Sequence, residues 1–321
     1  MSRSWNWDFE DRPRAAPRRN PSATDPAAPA DPAQGARRTR IRRRRVSAGL
    51  LAALLLLIIL GVALGGGGSR STAARSVHAP ANVARAVAPQ QSPAAGNRAV
   101  ASVLAYTPFV REGGNRGRDI ALTFDDGPGP YTPAVLSVLE RFHVPATFFA
   151  IGRMERYFSP STSREIRDGD VVGDHTETHP ALAQLSAHEQ HEQLFEQIAR
   201  VELLEGPRPV LFRPPYGSFN ATTIRELKAL HLLMVLWSVD ASDYLQPGVA
   251  LIVQRVLAGA HPGAIVLMHD GGGDRSQTIA ALPTIIRELR ARGLHLVTVP
   301  QLLLDDPPPP GEQLPPNLSG D

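Results

Sequence analysis

The chain contains no cysteine in its 321 residues, and this absence limits the chemistry available to it. Disulfide bonds and thiolate metal ligands are both excluded. Any metal site must therefore be built from histidine, aspartate and glutamate side chains. The sequence also shows no internal repeat.

A basic excess is lacking outside the first 45 residues, although the whole chain carries a net charge of +3 and has a pI of about 9.7. Residues 1–45 hold 12 arginines against 5 acidic residues, which leaves 22 basic and 26 acidic residues, a net charge of −4, in the remainder. A nucleic-acid-binding domain would need a basic surface in that remainder. The charge distribution therefore speaks against nucleic acid as a partner.

Charged residues are missing from residues 46–64, an aliphatic stretch that follows the arginine run RRTRIRRRR. A helix of this length would measure about 28 Å and would cross a bilayer. Arginines on its N-terminal side alone predict a single-pass plasma-membrane protein with a cytoplasmic N-terminus and an extracytoplasmic C-terminal portion. A cleavable signal peptide, with or without a twin-arginine signal, is the alternative. We favour an uncleaved signal anchor, because the 45 preceding residues would make a long n-region.

Three segments lack the apolar periodicity of a folded domain. Residues 1–45 are predicted to form a disordered Arg- and Pro-rich cytoplasmic tail, and residues 65–115 a flexible linker rich in small residues and proline. Residues 304–321, which include four consecutive prolines, are predicted to form a Pro-rich disordered tail. Residues 116–303 remain and are predicted to form one compact domain.

Within residues 116–303, short apolar runs alternate with amphipathic stretches, a pattern typical of βα units around a mostly parallel sheet. The predicted strands are Ile120–Phe124, Ala146–Ile151, Val171–Gly173, Val210–Phe212, Leu233–Trp237, Ala264–Met268 and His295–Val299. The predicted helices are Pro133–Phe142, Ala187–Leu204, Ala221–Leu230, Gly248–Ala258 and Gln277–Arg292. Periodicity alone does not decide between a barrel and an open doubly wound sheet.

Ionisable residues follow five of these predicted strands. They are Asp125 and Asp126, Asp174 and His175, Arg213, Asp240, and His269 and Asp270. Parallel α/β enzymes place their active sites at the carboxyl edge of the sheet. The pattern therefore predicts an active site at this edge.

The segment GDHTETHP, residues 173–180, places His175 and His179 four residues apart. In a helical turn their Cβ atoms would lie about 5–6 Å apart, and both imidazoles would reach one metal ion. On an extended strand they would lie about 13 Å apart and would not reach it. Two structural or solvated histidines are the alternative. The position after a strand and beside acidic residues favours a metal site.

The segment TFDDGPGP places Asp125 and Asp126 side by side on a turn after an apolar strand. Adjacent carboxylates repel each other, so a site that holds both requires a cation or a shared proton. One carboxylate is suited to join the two histidines in a three-ligand metal site, and the other to accept a proton from water. An Asp-Asp-Gly turn selected for its backbone shape is the alternative.

Three further segments carry candidate catalytic groups. In RPPYG, Arg213 is a permanent cation suited to hold a carboxylate base ionised, and the rigid turn can aim a backbone N–H at an oxyanion. VDASDY contains Asp240 and Asp243, and LMHD contains His269. A carboxylate bonded to His269 would raise its pKa and keep it protonated as a general acid, and the residues alone leave open which carboxylate does so. Structural loop residues are the alternative at each position.

In this order, the motifs TFDDGP, HTETHP, RPPYG, VDASDY and LMHD resemble those of the polysaccharide deacetylase domain, carbohydrate esterase family 4, also called the NodB-like domain. The resemblance covers about residues 116–303. It implies an α/β fold, a distorted (β/α) barrel of about seven strands. It also implies a divalent metal, most commonly zinc and sometimes cobalt or another transition metal, with Asp126, His175 and His179 as its ligands.

The same resemblance implies roles for the remaining motif residues. Asp125 would act as the general base and Arg213 would anchor it. Asp240 would tune His269 as the general acid. The backbone N–H of Tyr216 would stabilise the oxyanion. The substrate groove would be lined by Pro215, Tyr244 and Leu267.

The implied reaction is hydrolysis of N-acetyl groups on the amino sugars of a cell-envelope polysaccharide. Peptidoglycan is the polymer that a domain tethered outside the plasma membrane would reach, and a chitin-like polymer is a further candidate. Removal of O-acetyl groups from xylan or another glycan is an alternative, as is a non-catalytic wall-binding protein of the same fold. Tyr244 stands where the family usually has tryptophan, which leaves the sugar preference open.

Overall fold

The structure is a computed structural model and describes residues 93–315. The predicted cytoplasmic tail 1–45, the predicted membrane anchor 46–64 and the first part of the predicted linker lie outside the described residues and stay predictions. Within the described range, no helix combines the length and the apolar character that a membrane span requires.

The described strands are parallel and form one curled sheet, a half-barrel. Their bounds are β1 Phe109–Val110, β2 Asp119–Asp125, β3 Thr147–Ala150, β4 Val171–Asp174, β5 Leu211–Phe212, β6 Leu233–Val235, β7 Val239–Asp240, β8 Ile265–His269 and β9 His295–Val297. Their order across the sheet is β1-β6-β5-β4-β3-β2-β8-β7, and β9 also pairs with β2.

Helices connect the strands along the chain. They are α1 Pro93–Leu104, α2 Thr132–Phe142, α3 Gly152–Tyr157, α4 Ser159–Asp168, α5 Ala187–Leu203, α6 Ala221–Leu230, α7 Val249–Gly259, α8 Ser276–Ala291 and α9 Val299–Asp305. Short 3-10 turns occur at Leu182–Gln184, Pro215–Gly217 and Asp243–Leu245. All seven predicted strands and all five predicted helices are present, with bounds that shift by a few residues.

The two faces of β2 show how the core positions the functional edge. Ile120, Leu122 and Phe124 pack on the outer face of the curl with apolar residues of α2, α7 and α8. Ala121 faces inward, where the apolar residues of α1 and α9 cover it. Because successive side chains alternate between faces, Asp125 also points inward, beyond the apolar residues of α1 and α9 that cover Ala121. The inner face of the curl is thus apolar at one end and polar at the carboxyl end.

The predicted distorted barrel is correct as a curled α/β sheet, but the described strands do not close into a full ring. β1 and β7 end the sheet and each pairs with one neighbour. Both strands are short and were not predicted. They are two residues long, which is too short to produce a periodic apolar pattern.

The predicted linker 65–115 is wrong over residues 93–115, because this part is folded. Gly96, Ala99, Val100 and Val103 are buried on one face of α1, the spacing of an amphipathic helix. A Cβ atom on Gly96 would lie 2.8 Å from the Cβ of Pro300, so α1 packs closely against α9. The high content of alanine and glycine concealed this helix from a composition-based argument.

The predicted disordered tail 304–321 is wrong at its start. Helix α9 continues to Asp305, and the buried Asp306 carboxylate accepts hydrogen bonds from the backbone N–H groups of Arg116 and Gly117 at 2.6 and 3.0 Å. The Tyr106 hydroxyl donates to the carbonyl oxygen of Pro308 at 2.7 Å. The folded unit therefore extends past both ends of the predicted 116–303 domain.

Candidate active site

The ionisable residues after the strands meet at one edge, as the sequence predicts. Parallel pairing of β2 with β8 places Asp125 directly opposite His269. Pairing of β4 with β5 places Asp174 opposite Phe212, so that His175 and Arg213 follow side by side. Asp125, His175 and Arg213 are all buried. The carboxyl edge of the half-barrel therefore contains a cluster of ionisable groups that is largely withdrawn from solvent.

The two histidines of GDHTETHP converge without a helical turn. Their ring centroids lie 4.9 Å apart in a bend where Thr176 has φ 69° and His179 has φ 63°. The Asp174 carboxylate accepts the Thr176 N–H at 2.7 Å, and the Thr176 hydroxyl accepts the His179 N–H at 2.9 Å. The helical turn considered from the sequence is thus wrong, whereas the convergence it was meant to explain is present.

Asp126 completes a three-residue cluster with these histidines. Its Oδ1 atom lies 3.0 Å from Nε2 of His179 and 3.5 Å from Nε2 of His175, and the three ligand atoms all lie within 4.8 Å of one another. Asp126 has φ 70°, and a Cβ atom on Gly272 would lie 2.2 Å from its Oδ2 atom. The absence of a side chain at Gly272 therefore leaves room for the carboxylate.

The hydrogen bond of His175 fits it to bind a metal. Its Nδ1 atom lies 2.7 Å from the carbonyl oxygen of Arg213. A carbonyl oxygen can only accept, so Nδ1 carries a proton, and Nε2 is the nitrogen that faces Asp126 and His179 and is left to bind a metal. Two imidazole nitrogens and one carboxylate oxygen form a donor set that suits zinc and leaves further coordination positions open.

Electrostatics keep the Asp126 carboxyl ionised. Burial alone would raise its pKa, but the charge of His179 and the hydrogen bonds of both histidines outweigh burial and hold the pKa well below its usual range. An ionised carboxylate is the form that binds a metal ion. Asp126 is therefore in the form that binds a metal ion.

Asp125 is held by a buried arginine, as predicted. Arg213 Nη1 donates to Asp125 Oδ1 at 2.7 Å and to the Thr123 hydroxyl at 2.8 Å. The other guanidinium nitrogens donate to the carbonyl oxygens of Val235 and Leu236, at 3.0 and 3.1 Å. Burial lowers the pKa of Arg213, and the charge of Asp125 opposes this effect. The second Asp125 oxygen stays 3.8 Å from His175 Nε2, next to the metal cluster.

On the opposite side of Asp125, His269 is paired with a carboxylate. Its Nδ1 lies 2.7 Å from Asp243 Oδ1, and its backbone N–H donates to Asp243 Oδ2 at 2.9 Å. The Thr278 hydroxyl donates to the same Oδ2 at 2.7 Å. Burial by itself lowers the pKa of His269, but the charge and hydrogen bond of Asp243 outweigh it and raise the pKa to about 9.

The prediction that Asp240 tunes His269 is therefore wrong, and Asp243 has this position. Asp240 Oδ1 accepts the backbone N–H of Ser242 at 2.6 Å and so stabilises the turn between the two aspartates. Ser242 has φ 47°, and the reversal of the chain there carries Asp243 into the interior, where it is 1% exposed. Asp240 and Asp243 lie three residues apart in VDASDY, and this spacing alone does not show which of the two side chains faces inward.

Two exposed tyrosines border the cluster. The Tyr216 ring lies 4.6 Å from the His179 ring, and the Tyr244 ring lies 5.4 Å from the His269 ring. Tyr216 has φ 59°, and its side chain is 57% exposed, against 39% for Tyr244. The predicted groove thus has an aromatic ring on the metal side and another on the His269 side.

The two other predicted groove residues are less exposed. Leu267 lies two residues before His269 on β8, so both side chains point to the same face of the sheet, and Leu267 is 5% exposed. Pro215 is buried in the turn that carries Tyr216. Their contact with a substrate stays a prediction.

The sequence did not predict a role for Asp270, which lies next to the turn that carries Asp126. Its carboxylate accepts a hydrogen bond from the Thr132 hydroxyl and lies against Gly127, where a Cβ atom would come within 2.3 Å of it. Burial, followed by the charges of Asp126 and Asp125, raises its pKa to about 7. Asp270 thus helps to shape the DDGP turn, and its place next to His269 in LMHD was the available signal.

Comparisons with known proteins point to one family. A family profile described as polysaccharide deacetylase matches residues 112–235. A peptidoglycan-N-acetylglucosamine deacetylase from Bacillus cereus is 41% identical over 202 residues, which cover 59% of this chain and 90% of that protein. A chitooligosaccharide deacetylase from a Bradyrhizobium species is 40% identical over 199 residues, which cover 58% and 90%.

A solved structure is similar as well. It is a peptidoglycan N-acetylglucosamine deacetylase in complex with 4-naphthalen-1-yl-N-oxidanyl-benzamide. It superimposes with a TM-score of 0.60 at 32% sequence identity, over 63% of this chain and 94% of that chain. The fold and the sequence comparisons therefore agree.

Proposed function

The chain belongs to the polysaccharide deacetylase family and is a polysaccharide N-deacetylase, and from this premise we propose that it removes N-acetyl groups from the amino sugars of peptidoglycan in a metal-dependent reaction. The observation that carries the metal dependence is the convergence of Asp126, His175 and His179 on one point beside the buried Asp125–Arg213 pair. No cysteine competes for this role.

Asp126, His175 and His179 would hold the metal, with zinc as the best fit and cobalt or another transition metal as alternatives. When bound, the metal supplies Lewis-acid chemistry, which polarises a carbonyl group and lowers the pKa of water. The exposed Tyr216 ring lies against His179, and an acetylated sugar would enter on this side of the cluster.

Asp125 would accept the proton of the attacking water. Its contact with Arg213 fixes one oxygen, so the other oxygen remains for the proton. The backbone N–H of Tyr216 would stabilise the negative charge on the acetyl oxygen as the tetrahedral intermediate forms.

His269 would donate a proton to the leaving amine. Its Nδ1 is engaged by Asp243, so Nε2 is the donor that remains. A pKa of about 9 keeps the imidazole protonated near neutral pH, which a general acid requires before each turnover. The products would be acetate and a free amino sugar.

Two further parts of the proposal concern substrate and location. Relatives named as peptidoglycan and as chitooligosaccharide deacetylases support a polymer of N-acetylglucosamine as substrate. The apolar residues 46–64 support attachment to the plasma membrane with an extracytoplasmic catalytic unit, where peptidoglycan lies.

The test is to incubate the zinc-loaded full chain with peptidoglycan, chitin oligomers and O-acetylated xylan, and to measure acetate and free amines. We expect equal amounts of acetate and amine from peptidoglycan. The Asp125→Asn variant should retain zinc and lose about 10²- to 10⁴-fold in rate, the usual contribution of a general base. Acetate from xylan without amine from peptidoglycan would overturn the proposed substrate, and normal turnover by Asp125→Asn would overturn the base.

A further inference from the structure

Glu177 lies in sequence between His175 and His179, yet its side chain points away from the candidate metal-binding cluster. The residue is 8% exposed, and Oε1 of its carboxylate accepts a hydrogen bond from Arg200 Nη2 at 3.0 Å. A Cβ atom on Gly152 would lie 2.0 Å from Oε2, so the carboxylate occupies the space that this glycine leaves open. Within residues 93–315, Oε2 has no hydrogen-bond partner. Burial of a carboxylate with one unpaired oxygen costs free energy, which indicates that Glu177 has a structural or functional role.

Helix α5 contacts the histidine loop through a second residue. The carbonyl oxygen of Gln193 accepts the Glu177 N–H at 2.9 Å, and its side-chain Oε1 accepts the backbone N–H and the hydroxyl of Thr178 at 2.9 and 3.2 Å. Arg200 is on the same helix, about two turns further along. Glu177 and Thr178, two of the three residues between the histidines, are thus bonded to α5 at both backbone and side-chain level.

Helix α5 is a rigid base for these contacts. Ser186 and Glu189 form a capping box at its N-terminus. Its own residues Leu194, Ile198 and Val201 are fully buried in the core. The helix therefore cannot follow a displacement of the loop without disturbing the core.

The hydrogen bonds inside the loop do not replace this support. The side-chain bonds of Asp174 and Thr176 fix the shape of the bend. On one side of the bend, the carbonyl oxygens of Thr176 and Glu177 accept the N–H groups of Gly152 and Arg153 at 3.0 and 2.9 Å, and the adjacent Ile151 N–H donates to the carbonyl oxygen of Gly127 at 2.8 Å, next to Asp126. These backbone bonds leave the other side of the bend to helix α5. Thr176, which is β-branched, and His179 both have positive φ, a strained backbone that persists when its surroundings enforce it. Position relative to Asp126 must come from outside the bend.

We propose that Gln193, Arg200 and Glu177, which we call the α5 clamp, are positioning residues that hold His175 and His179 at the distance from Asp126 that metal binding needs. The inference rests on the proposed metal site. Loss of the clamp would let the strained bend relax and would weaken metal binding, while leaving Asp125 and His269 in place. Outer contacts of this kind typically change metal affinity by about 10- to 100-fold.

The test measures the zinc dissociation constant of the full chain by competition with a chelator, without substrate. We expect Arg200→Met to weaken zinc binding about tenfold and Arg200→Lys to recover part of the loss. Acetate release at saturating zinc should return to within about twofold of wild type, because the catalytic groups are untouched. The matched control is Arg208→Met, which removes the exposed ion pair with Glu202 (3.4 Å) and should leave the zinc constant unchanged.

A second pair of variants keeps the test decisive if Arg200→Met does not fold. Gln193→Leu removes the acceptor for Thr178 and should weaken zinc binding by roughly threefold, whereas Gln193→Glu retains an acceptor and should bind like wild type. The clamp would be refuted if Arg200→Met and Gln193→Leu both had zinc dissociation constants within twofold of wild type. If Arg200→Met does not fold, the same result for Gln193→Leu alone would refute it. If wild type bound zinc no better than His175→Ala, the metal site itself would be refuted, which is a separate result.

Discussion

His175 and His269 occupy comparable positions at the carboxyl ends of β4 and β8, but the groups behind their rings differ. Nδ1 of His175 contacts a neutral carbonyl oxygen, that of Arg213, and Nδ1 of His269 contacts the carboxylate of Asp243, both at 2.7 Å. A carbonyl fixes the tautomer and frees Nε2 as a ligand, whereas a carboxylate also stabilises the imidazolium. In the proposed function, the partner of Nδ1 divides the site into a metal-binding half and a proton-donating half.

The largest effect is expected from loss of the metal-binding half. Substitution of His175 by alanine removes one of three protein ligands, so zinc content should fall and acetate release should drop by at least about 10³-fold, to the level of chelator-treated wild type. Both quantities are measured on the same preparation. The control is His188→Ala, an exposed histidine on α5 that should change neither quantity.

The next largest effect is expected from loss of the proton-donating half. His269→Asn should lower kcat by roughly 10²- to 10³-fold, the usual contribution of a general acid, while zinc affinity stays within about threefold of wild type. Zinc titration and acetate release measure the two properties separately. His261→Asn removes a histidine that contacts Glu112 at the surface and should be silent. A large loss of zinc in His269→Asn would contradict the division of the site.

A smaller effect separates the two aspartates of VDASDY. Asp243→Asn should lower kcat at neutral pH by roughly 10- to 100-fold, whereas Asp240→Asn should change it by less than about twofold. His269 must be protonated to act, so activity falls as pH rises through its pKa of about 9. Without the charge of Asp243, the basic limb of the pH–activity profile should move to lower pH, towards 6.5, the usual pKa of histidine. A basic limb moved by Asp240→Asn instead would restore the role first predicted for that residue.

The smallest effect is expected from the hydroxyl that holds Asp243. Thr278→Val removes one hydrogen bond to a charged acceptor and should lower kcat by about three- to tenfold with KM unchanged, and Thr278→Ser should restore it. Thr284→Val, on the same helix, is the matched control. A change in KM without a change in kcat would mean that Thr278 acts on the substrate groove rather than through Asp243.

Much of the fold could be predicted from the sequence because most of its strands are short apolar runs that alternate with amphipathic helices. Helix α1 could not, since its buried face consists largely of small residues that resemble a linker in composition. Strand β1 and the contacts of Asp306 depend on pairing partners more than 100 residues away in sequence. Such long-range contacts have no local pattern, so both ends of the folded unit were placed incorrectly.

The candidate site divides in the same way. The convergence of Asp126, His175 and His179 could be predicted, because two histidines after a strand and a pair of aspartates after another are typical of a metal site. The bend that joins the histidines could not, because positive φ at a threonine and a histidine contradicts their ordinary backbone preferences. The role of Asp243 depends on one reversal of the chain at Ser242, which the motif spacing does not encode.

The most direct measurement of the division between the two histidines is a long-range proton–nitrogen-15 NMR spectrum of the imidazole rings, recorded before and after addition of Zn²⁺ at neutral pH. We expect His175 to show a proton on Nδ1 and a large shift of Nε2 when zinc is added. We expect His269 to show protons on both ring nitrogens with and without zinc. A zinc-induced shift of the His269 Nε2, or a proton on the Nε2 of His175 in the zinc-loaded protein, would contradict the account.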